Sequence, residues 1–137
     1  MSSEETGRVT DGIQLIVVDA ANVIGSRPDG WWRDRAGAAR RLLEQLSASA
    51  LRREQPVELV VVLEGKAKAA DPEVDDVRVV QAASSGDDAI VDVVAAAVEQ
   101  DSTRSITVVT ADRELRDRVA ALGADTVGPG WLLDRLG

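Results

Sequence analysis

The chain has 137 residues and a net charge of −8, from 16 basic and 24 acidic side chains, and it contains no cysteine and no histidine. This length is enough for one globular domain with its own hydrophobic core. The missing residue types exclude disulfides, thiol nucleophiles, Ser-His-Asp triads and zinc or copper sites built on imidazole or thiolate. Any chemistry must therefore use carboxylates, hydroxyls and cations.

Short apolar runs rich in β-branched residues predict the strands of the fold. Residues 1–10 are polar and are expected to form a flexible leader, and residues 11–137 are expected to form the single domain. Most of the runs contain few polar residues, which is typical of strands buried on both faces of a parallel sheet. The predicted strands cover residues 13–18, 59–63, 77–80, 106–109 and 125–127.

Apolar residues at helical spacing predict helices between these strands. The alternation of strand and helix predicts a single-domain α/β fold with a doubly wound parallel sheet of about five strands and helices on both faces. A long loop is expected between Asp19 and the first helix. The predicted helices cover residues 35–51, 87–98, 113–122 and 131–136, with Gly123 ending the third.

The distribution of charge indicates where an anionic partner would bind. Residues 1–55 carry 8 acidic and 8 basic side chains, whereas residues 56–137 carry 16 acidic and 8 basic ones, so the first half is expected to contact it. No apolar run approaches the roughly 20 residues of a membrane span, and the start has no signal-peptide pattern. A cytoplasmic protein without membrane contact is therefore expected. Its oligomeric state is not indicated.

Acidic and polar side chains follow the predicted strands, at the edge of the sheet where doubly wound folds bind ligands. Carboxylates brought together repel one another unless a cation lies between them, and oxygen ligands suit Mg²⁺ or Mn²⁺. The sequence therefore predicts a divalent metal ion as the cofactor. The residues are Asp19 and Asn22 after the first strand, Glu64 after the second, Asp87 and Asp88 at the start of a helix, and Thr110, Asp112 and Glu114 after the fourth strand.

Each acid also has a purely structural interpretation. Asp87, Asp88 and Asp112 lie at predicted helix starts, where a negative charge is favoured by about 0.3–1 kcal/mol. Asp19, ahead of an expected long loop, would not be a helix cap but would start an Asx turn. Glu64 would be an ordinary solvated strand end.

Three segments together carry a resemblance to a known family. They are residues 17–22 (VVDAAN), residues 86–88 (GDD) and residues 108–115 (VVTADREL). In this order they resemble the NYN branch of the PIN-like nucleases, and most closely its YacP-like group, over residues 13–136. The resemblance implies a Rossmann-like sheet of strand order 3-2-1-4-5 and a metal-dependent endoribonuclease that cleaves single-stranded RNA. It also implies products with 5′-phosphate and 3′-hydroxyl ends.

The resemblance assigns roles to the residues that match these motifs. Two positions depart from the family pattern: Ala21 replaces a usual aromatic residue, and Glu114 replaces an aspartate. The first departure would weaken stacking on a nucleotide, and the second would move a metal ligand by about one methylene group. The implied catalytic residues are Asp19, Asp87 and Asp112; the metal ligands are these three with Asp88 and Glu114; the supporting residues are Asn22, Glu64 and Thr110.

A basic segment with two tryptophans is the predicted site of RNA contact. Arginine binds phosphates and indole rings stack on bases, whereas the overall charge of −8 disfavours tight nonspecific binding. Alternatively, one of these tryptophans packs over the sheet edge, and Arg113 pairs with Asp112 for structural reasons. Trp131 is expected in the core. The predicted RNA-binding residues are Arg27, Trp31, Trp32, Arg33, Arg40 and Arg113, for an RNA that is free or presented in a ribosome or other complex.

Other acidic α/β sites match less well. A receiver domain needs a lysine after a late strand, a haloacid-dehalogenase phosphatase needs Asp-x-Asp after the first strand, and a phosphate-binding loop needs glycines followed by lysine, none of which is present. A Toprim nuclease fits only if Asp112 and Glu114 replace its Asp-x-Asp. The remaining alternative is a PIN-like module that binds RNA or protein without catalysis.

Overall fold

The computed structural model describes residues 13–27, 30–48, 57–65, 77–83 and 85–136. Its strands are β1 (Gln14–Asp19), β2 (Val57–Leu63), β3 (Val77–Gln81), β4 (Ile106–Val109) and β5 (Asp125–Val127). All four pairings between them are parallel, and they form one sheet in the order β3-β2-β1-β4-β5. This confirms the predicted doubly wound sheet and the strand order that the family resemblance implied.

The described part of the chain has five α-helices and a short 3₁₀ turn over Trp31–Arg33, and the last helix follows β5. The predicted leader lies outside the described residues, and so do residues 49–51, the end of the helix predicted over residues 35–51. The helix before Gly123 ends at Ala120, ahead of the predicted Leu122, and Gly123 then adopts a φ of +100°. The helices are α1 (Ala20–Gly25), α2 (Arg35–Ala48), α3 (Gly86–Gln100), α4 (Arg113–Ala120) and α5 (Pro129–Leu136).

The sheet separates two hydrophobic clusters, because successive side chains of a strand point to opposite faces. In β1, Ile16 and Val18 pack with α1, α2 and α5, whereas Leu15 and Val17 pack with α3 and α4. These four side chains are at most 3% exposed, as expected for a central strand covered on both faces. No helix in the described ranges is long and apolar enough to cross a membrane.

Helix α1 corrects the prediction of a long loop after Asp19. It starts at the next residue, Ala20, and Asp19 is its N-cap, accepting a hydrogen bond from the backbone N–H of Asn22. The apolar residues of this helix, Val23 and Ile24, are too few to show a helical period in the sequence, although both are buried.

Candidate active site

The alternation of side chains along the strands brings polar residues together at one edge of the sheet. Asp19 continues the phase of Leu15 and Val17 in β1, on the face covered by α3 and α4. Glu64 follows β2 in the phase of Val60 and Val62, and Thr110 follows β4 in the phase of Ile106 and Val108. Because the strands are parallel, all three positions lie at the carboxyl edge below α3.

Asp19 is the buried acid of this edge, with only 7% of its surface exposed. Its Oδ2 accepts a hydrogen bond from the Thr110 hydroxyl at 2.9 Å, and its Oδ1 accepts a longer one from Asn22 N at 3.4 Å. The pKa of Asp19 is raised to about 6, mainly because the carboxyl group is buried. The two hydrogen bonds lower this pKa, whereas the charges of Asp87 and Glu64 raise it further. The carboxylate is therefore costly to ionise without a cation.

Thr110 and Asn22 hold the turn between β4 and α4 in place. The Thr110 hydroxyl that donates to Asp19 also accepts from Asp112 N at 3.1 Å, and Asn22 Oδ1 accepts from Ala111 N at 2.8 Å. The two side chains thus connect the first and last acidic motifs of the sequence. The supporting roles that the family resemblance assigned to both residues stay a prediction.

Asp112 has a structural role as well as a position at the site. Its Oδ1 accepts a hydrogen bond from Leu115 N at 3.1 Å and caps α4, as the structural interpretation expected. This contact uses only one carboxylate oxygen. Capping therefore does not exclude a second function for Asp112.

Asp87 and Asp88 lie in the first turn of α3 but do not cap it. The N-cap is Ser85, whose hydroxyl accepts from Asp88 N at 3.2 Å. The pKa of Asp87 is raised, first by burial and then by the charges of Asp112 and Glu64. The charges of Asp112 and Glu64 therefore repel that of Asp87 at this edge of the sheet.

Glu64 connects the end of β2 to the start of α3. Its Oε1 accepts a hydrogen bond from Gly86 N at 2.6 Å, so it is not simply a solvated strand end. A Cβ atom at Gly86 would lie 2.9 Å from the same oxygen, which explains why a glycine fits here. Glu64 thereby fixes the first turn of α3, which carries Asp87.

Removing this contact is expected to destabilise the metal-free protein. Glu64→Ala should lower the free energy of unfolding by about 1–2 kcal/mol, because a backbone N–H loses a charged acceptor at a helix N-terminus. Glu64→Gln should stay close to the wild type, since its amide oxygen can still accept from Gly86. Urea denaturation at pH 7.5 compares the variants, and equal losses for Ala and Gln would contradict this role.

The donor chemistry of the edge fits Mg²⁺ or Mn²⁺, since all candidate ligands are oxygens and their charges repel one another. As the side chains stand, however, no three acidic residues within the described ranges lie close enough together to hold a metal ion. Asp19 already uses both carboxylate oxygens and Asp112 uses one. Binding a metal ion would require some of these side chains to rotate.

Five of the six predicted RNA-binding residues lie between the end of β1 and the middle of α2, and the sixth, Arg113, begins α4. Trp32 is 56% exposed, so it is not buried over the sheet edge, and the Arg33 guanidinium lies 5.7 Å from the centre of its ring. Arg27 donates to Gln45 Oε1 at 2.7 Å, and Arg40 is exposed on α2. The side chain of Trp31 lies outside what the structure describes.

Arg113 and Trp131 depart from their structural interpretations. Arg113 is exposed at the start of α4 and makes no ion pair with Asp112 in the described part of the chain. Trp131 packs against the core but is only partly buried, and the Arg135 guanidinium lies 4.2 Å from the centre of its ring. Trp131 lies in the first turn of α5, four residues before Arg135, and this helical spacing brings the guanidinium over its ring.

Sequence reasoning missed Arg118, a cation that pairs with one of these acids. Its Nη2 lies 3.1 Å from Asp88 Oδ1, and its charge lowers the pKa of Asp87 against the larger raising effects. The available signal was the spacing of Glu114 and Arg118, four residues apart, which places both on one side of a helix.

Comparison of the fold with solved structures finds two crystal structures of one other protein. Rae1 (YacP) from Bacillus subtilis, as a point mutant, superposes with a TM-score of 0.71 at 19% identity, over 90% of this chain and 75% of the other. The unsubstituted form superposes with a TM-score of 0.69 at 17% sequence identity, over 90% of this chain and 74% of the other. No protein-family model and no curated protein sequence matches the chain. The chain therefore has the PIN-like α/β fold of Rae1 (YacP), as its motifs predicted.

Proposed function

We propose that the chain is a metal-dependent endoribonuclease that cleaves phosphodiester bonds of single-stranded RNA. The observation that carries this proposal is the electrostatic interaction of Asp87 with both Asp19 and Asp112 at the carboxyl edge of a YacP-like sheet, with raised pKa values at Asp19 and Asp87. Strongly perturbed carboxylates concentrate at functional sites. Burial and mutual repulsion of these carboxylates destabilise the fold, and a bound cation would offset this destabilisation.

Asp19, Asp87 and Asp112 would hold Mg²⁺ or Mn²⁺, with Glu114 as a further ligand from α4. When bound, such an ion lowers the pKa of a water molecule and offsets the charge of the phosphate. Glu114 is close enough to raise the pKa of Asp87, which supports its inclusion. Asp88, the fifth ligand that the resemblance implied, is instead paired with Arg118.

The other residues of the site orient these ligands. Thr110 directs its hydroxyl to Asp19 Oδ2 and leaves the weaker contact at Oδ1 for exchange with a metal ion. Asn22 fixes the backbone of Ala111, one residue before Asp112. The site can therefore bind a metal ion by rotating side chains while its backbone stays in place.

The segment from α1 to α2 would bind the RNA strand. The exposed Trp32 can stack on a base, and Arg33 and Arg40 can contact phosphates without first breaking a buried ion pair. Since α2 returns from the carboxyl edge to the start of β2, its first turn lies toward the acidic residues. Single-stranded RNA suits this arrangement because its bases are free to stack.

A non-catalytic RNA-binding or protein-interaction module is the second candidate. The observation that favours it is that no three acids in the described ranges converge on a common point. In that case the acids would serve as caps and electrostatic neighbours, as Asp19 and Asp112 already do.

The experiment that separates the two candidates is cleavage of a 5′-labelled single-stranded RNA by the full chain. Products with 5′-phosphate ends in Mn²⁺ or Mg²⁺, and none in EDTA, are the result expected of the nuclease. RNA binding without metal-dependent cleavage would favour the module.

A further inference from the structure

Arg118 links the two helices that carry the acidic edge. From α4 its Nη2 reaches Asp88 Oδ1, in the first turn of α3, at 3.1 Å. The side chain of Arg118 is 39% exposed and that of Asp88 is 63% exposed. Exposed pairs of this kind contribute little to stability, so stability alone gives no strong reason for this contact.

The acidic edge needs a cation if it is to accept RNA. Asp19, Glu64, Asp87 and Asp112 interact electrostatically there, and an RNA phosphate entering the edge would be repelled by all of them. A divalent ion offsets part of this repulsion at the point of cleavage. Neighbouring phosphates still require a positive side chain beside the edge, and Arg118 is placed there.

The guanidinium of Arg118 retains donors for such a contact. It has five N–H groups in a planar fork, and Asp88 engages one terminal nitrogen. The fork matches the geometry of two phosphate oxygens better than an ammonium group does. The ion pair with Asp88 restricts the rotation of the long side chain before RNA binds.

We propose that Arg118 binds an RNA phosphate adjacent to the scissile one, and that Asp88 orients this arginine instead of ligating the metal ion. The proposal rests on the proposed ribonuclease function, but its binding step is measurable without cleavage.

The first test measures binding of a fluorescein-labelled single-stranded RNA in EDTA, from 50 to 200 mM salt, a range over which lost phosphate contacts change the affinity strongly. Arg118→Ala should weaken binding at least about fivefold. It should also make the negative slope of log K against log salt shallower by about 0.7, as expected for one lost phosphate contact. Arg118→Lys should keep most of the slope. Arg78→Ala, which removes an exposed arginine near the amino end of β3, is the matched control and should change neither quantity.

The second test measures Mn²⁺ binding by calorimetry in the same variants. Arg118→Ala should leave the affinity unchanged or increase it, because a positive charge beside the acids is removed. Asp88→Asn should weaken RNA binding and leave Mn²⁺ affinity close to that of the wild type. If Arg118 only held α3 and α4 together, Arg118→Ala would not weaken RNA binding while leaving Mn²⁺ affinity unchanged or increased.

Three outcomes would overturn the proposal. They are RNA binding unchanged in Arg118→Ala, RNA and Mn²⁺ affinities that fall together in that variant, and loss of Mn²⁺ binding in Asp88→Asn. Wild-type protein that binds no RNA, either in EDTA or in Mn²⁺, would also overturn it. RNA binding that depends on Arg118, without metal-dependent cleavage, would overturn the nuclease function and leave only the phosphate contact of Arg118 in place.

Discussion

Replacing Asp19 by asparagine is expected to lower the rate of RNA cleavage at least about 100-fold, since a metal ligand contributes several kcal/mol to stabilising the charge of the transition state. Asparagine keeps an oxygen that can accept from Thr110, so the neighbouring turn should remain in place. It removes the negative charge at the only buried acid among the described residues. Single-turnover rates on a 5′-labelled RNA in Mn²⁺ measure the effect.

The control for this experiment is Asp125→Asn. Asp125 is exposed at the amino end of β5, at the edge of the sheet opposite the site, and its replacement removes the same charge. Its cleavage rate should match that of the wild type. Full activity in Asp19→Asn would rule out the acidic edge as the active site.

The same substitution should stabilise the metal-free protein at neutral pH. The pKa of Asp19 is raised to about 6 in the folded chain, so the folded state holds a proton that the unfolded state releases above its lower pKa. The stability that this proton gives is fully present below the unfolded pKa and is lost as the pH rises through about 6. Asp87, with a pKa raised in the same direction, adds to the trend.

Urea denaturation at several pH values tests this linkage. At pH 7.5, Asp19→Asn should exceed the wild type in unfolding free energy by about 1–3 kcal/mol, the equivalent of one to two pKa units. At pH 4 the difference should largely vanish, because Asp19 is then protonated. A difference that is constant from pH 4 to 7.5 would show that ionisation of Asp19 is not its cause.

The sheet and the acidic edge could be predicted because both depend on local patterns. The apolar runs of β1, β2 and β4 are buried on both faces, which removes polar residues from them and makes them easy to find. The residue after each run then falls at the carboxyl edge in any parallel sheet. Asp19, Asp87 and Asp112 were identified by this rule together with the family motifs.

The contacts between side chains of this edge could not be predicted in the same way. Helix α1 is six residues long, so its start directly after Asp19 depends on packing of Val23 and Ile24 and not on a visible period. The Glu64 contact to Gly86 spans 22 residues, and the Arg118 contact to Asp88 spans 30. Such pairings require the relative positions of helices and strands, which composition and spacing do not contain.

Calorimetric titration of Mn²⁺ into the full chain at near-physiological salt, with Asp19→Asn as the comparison, tests most directly whether this edge is a metal site. Saturable binding at millimolar metal or below is expected for the wild type, with an affinity at least about tenfold lower in the variant. Glu64→Gln, which keeps the contact to Gly86, should bind nearly as the wild type does. Equal binding by the wild type and Asp19→Asn, or no binding by either at millimolar Mn²⁺, would contradict a metal ion held by these carboxylates.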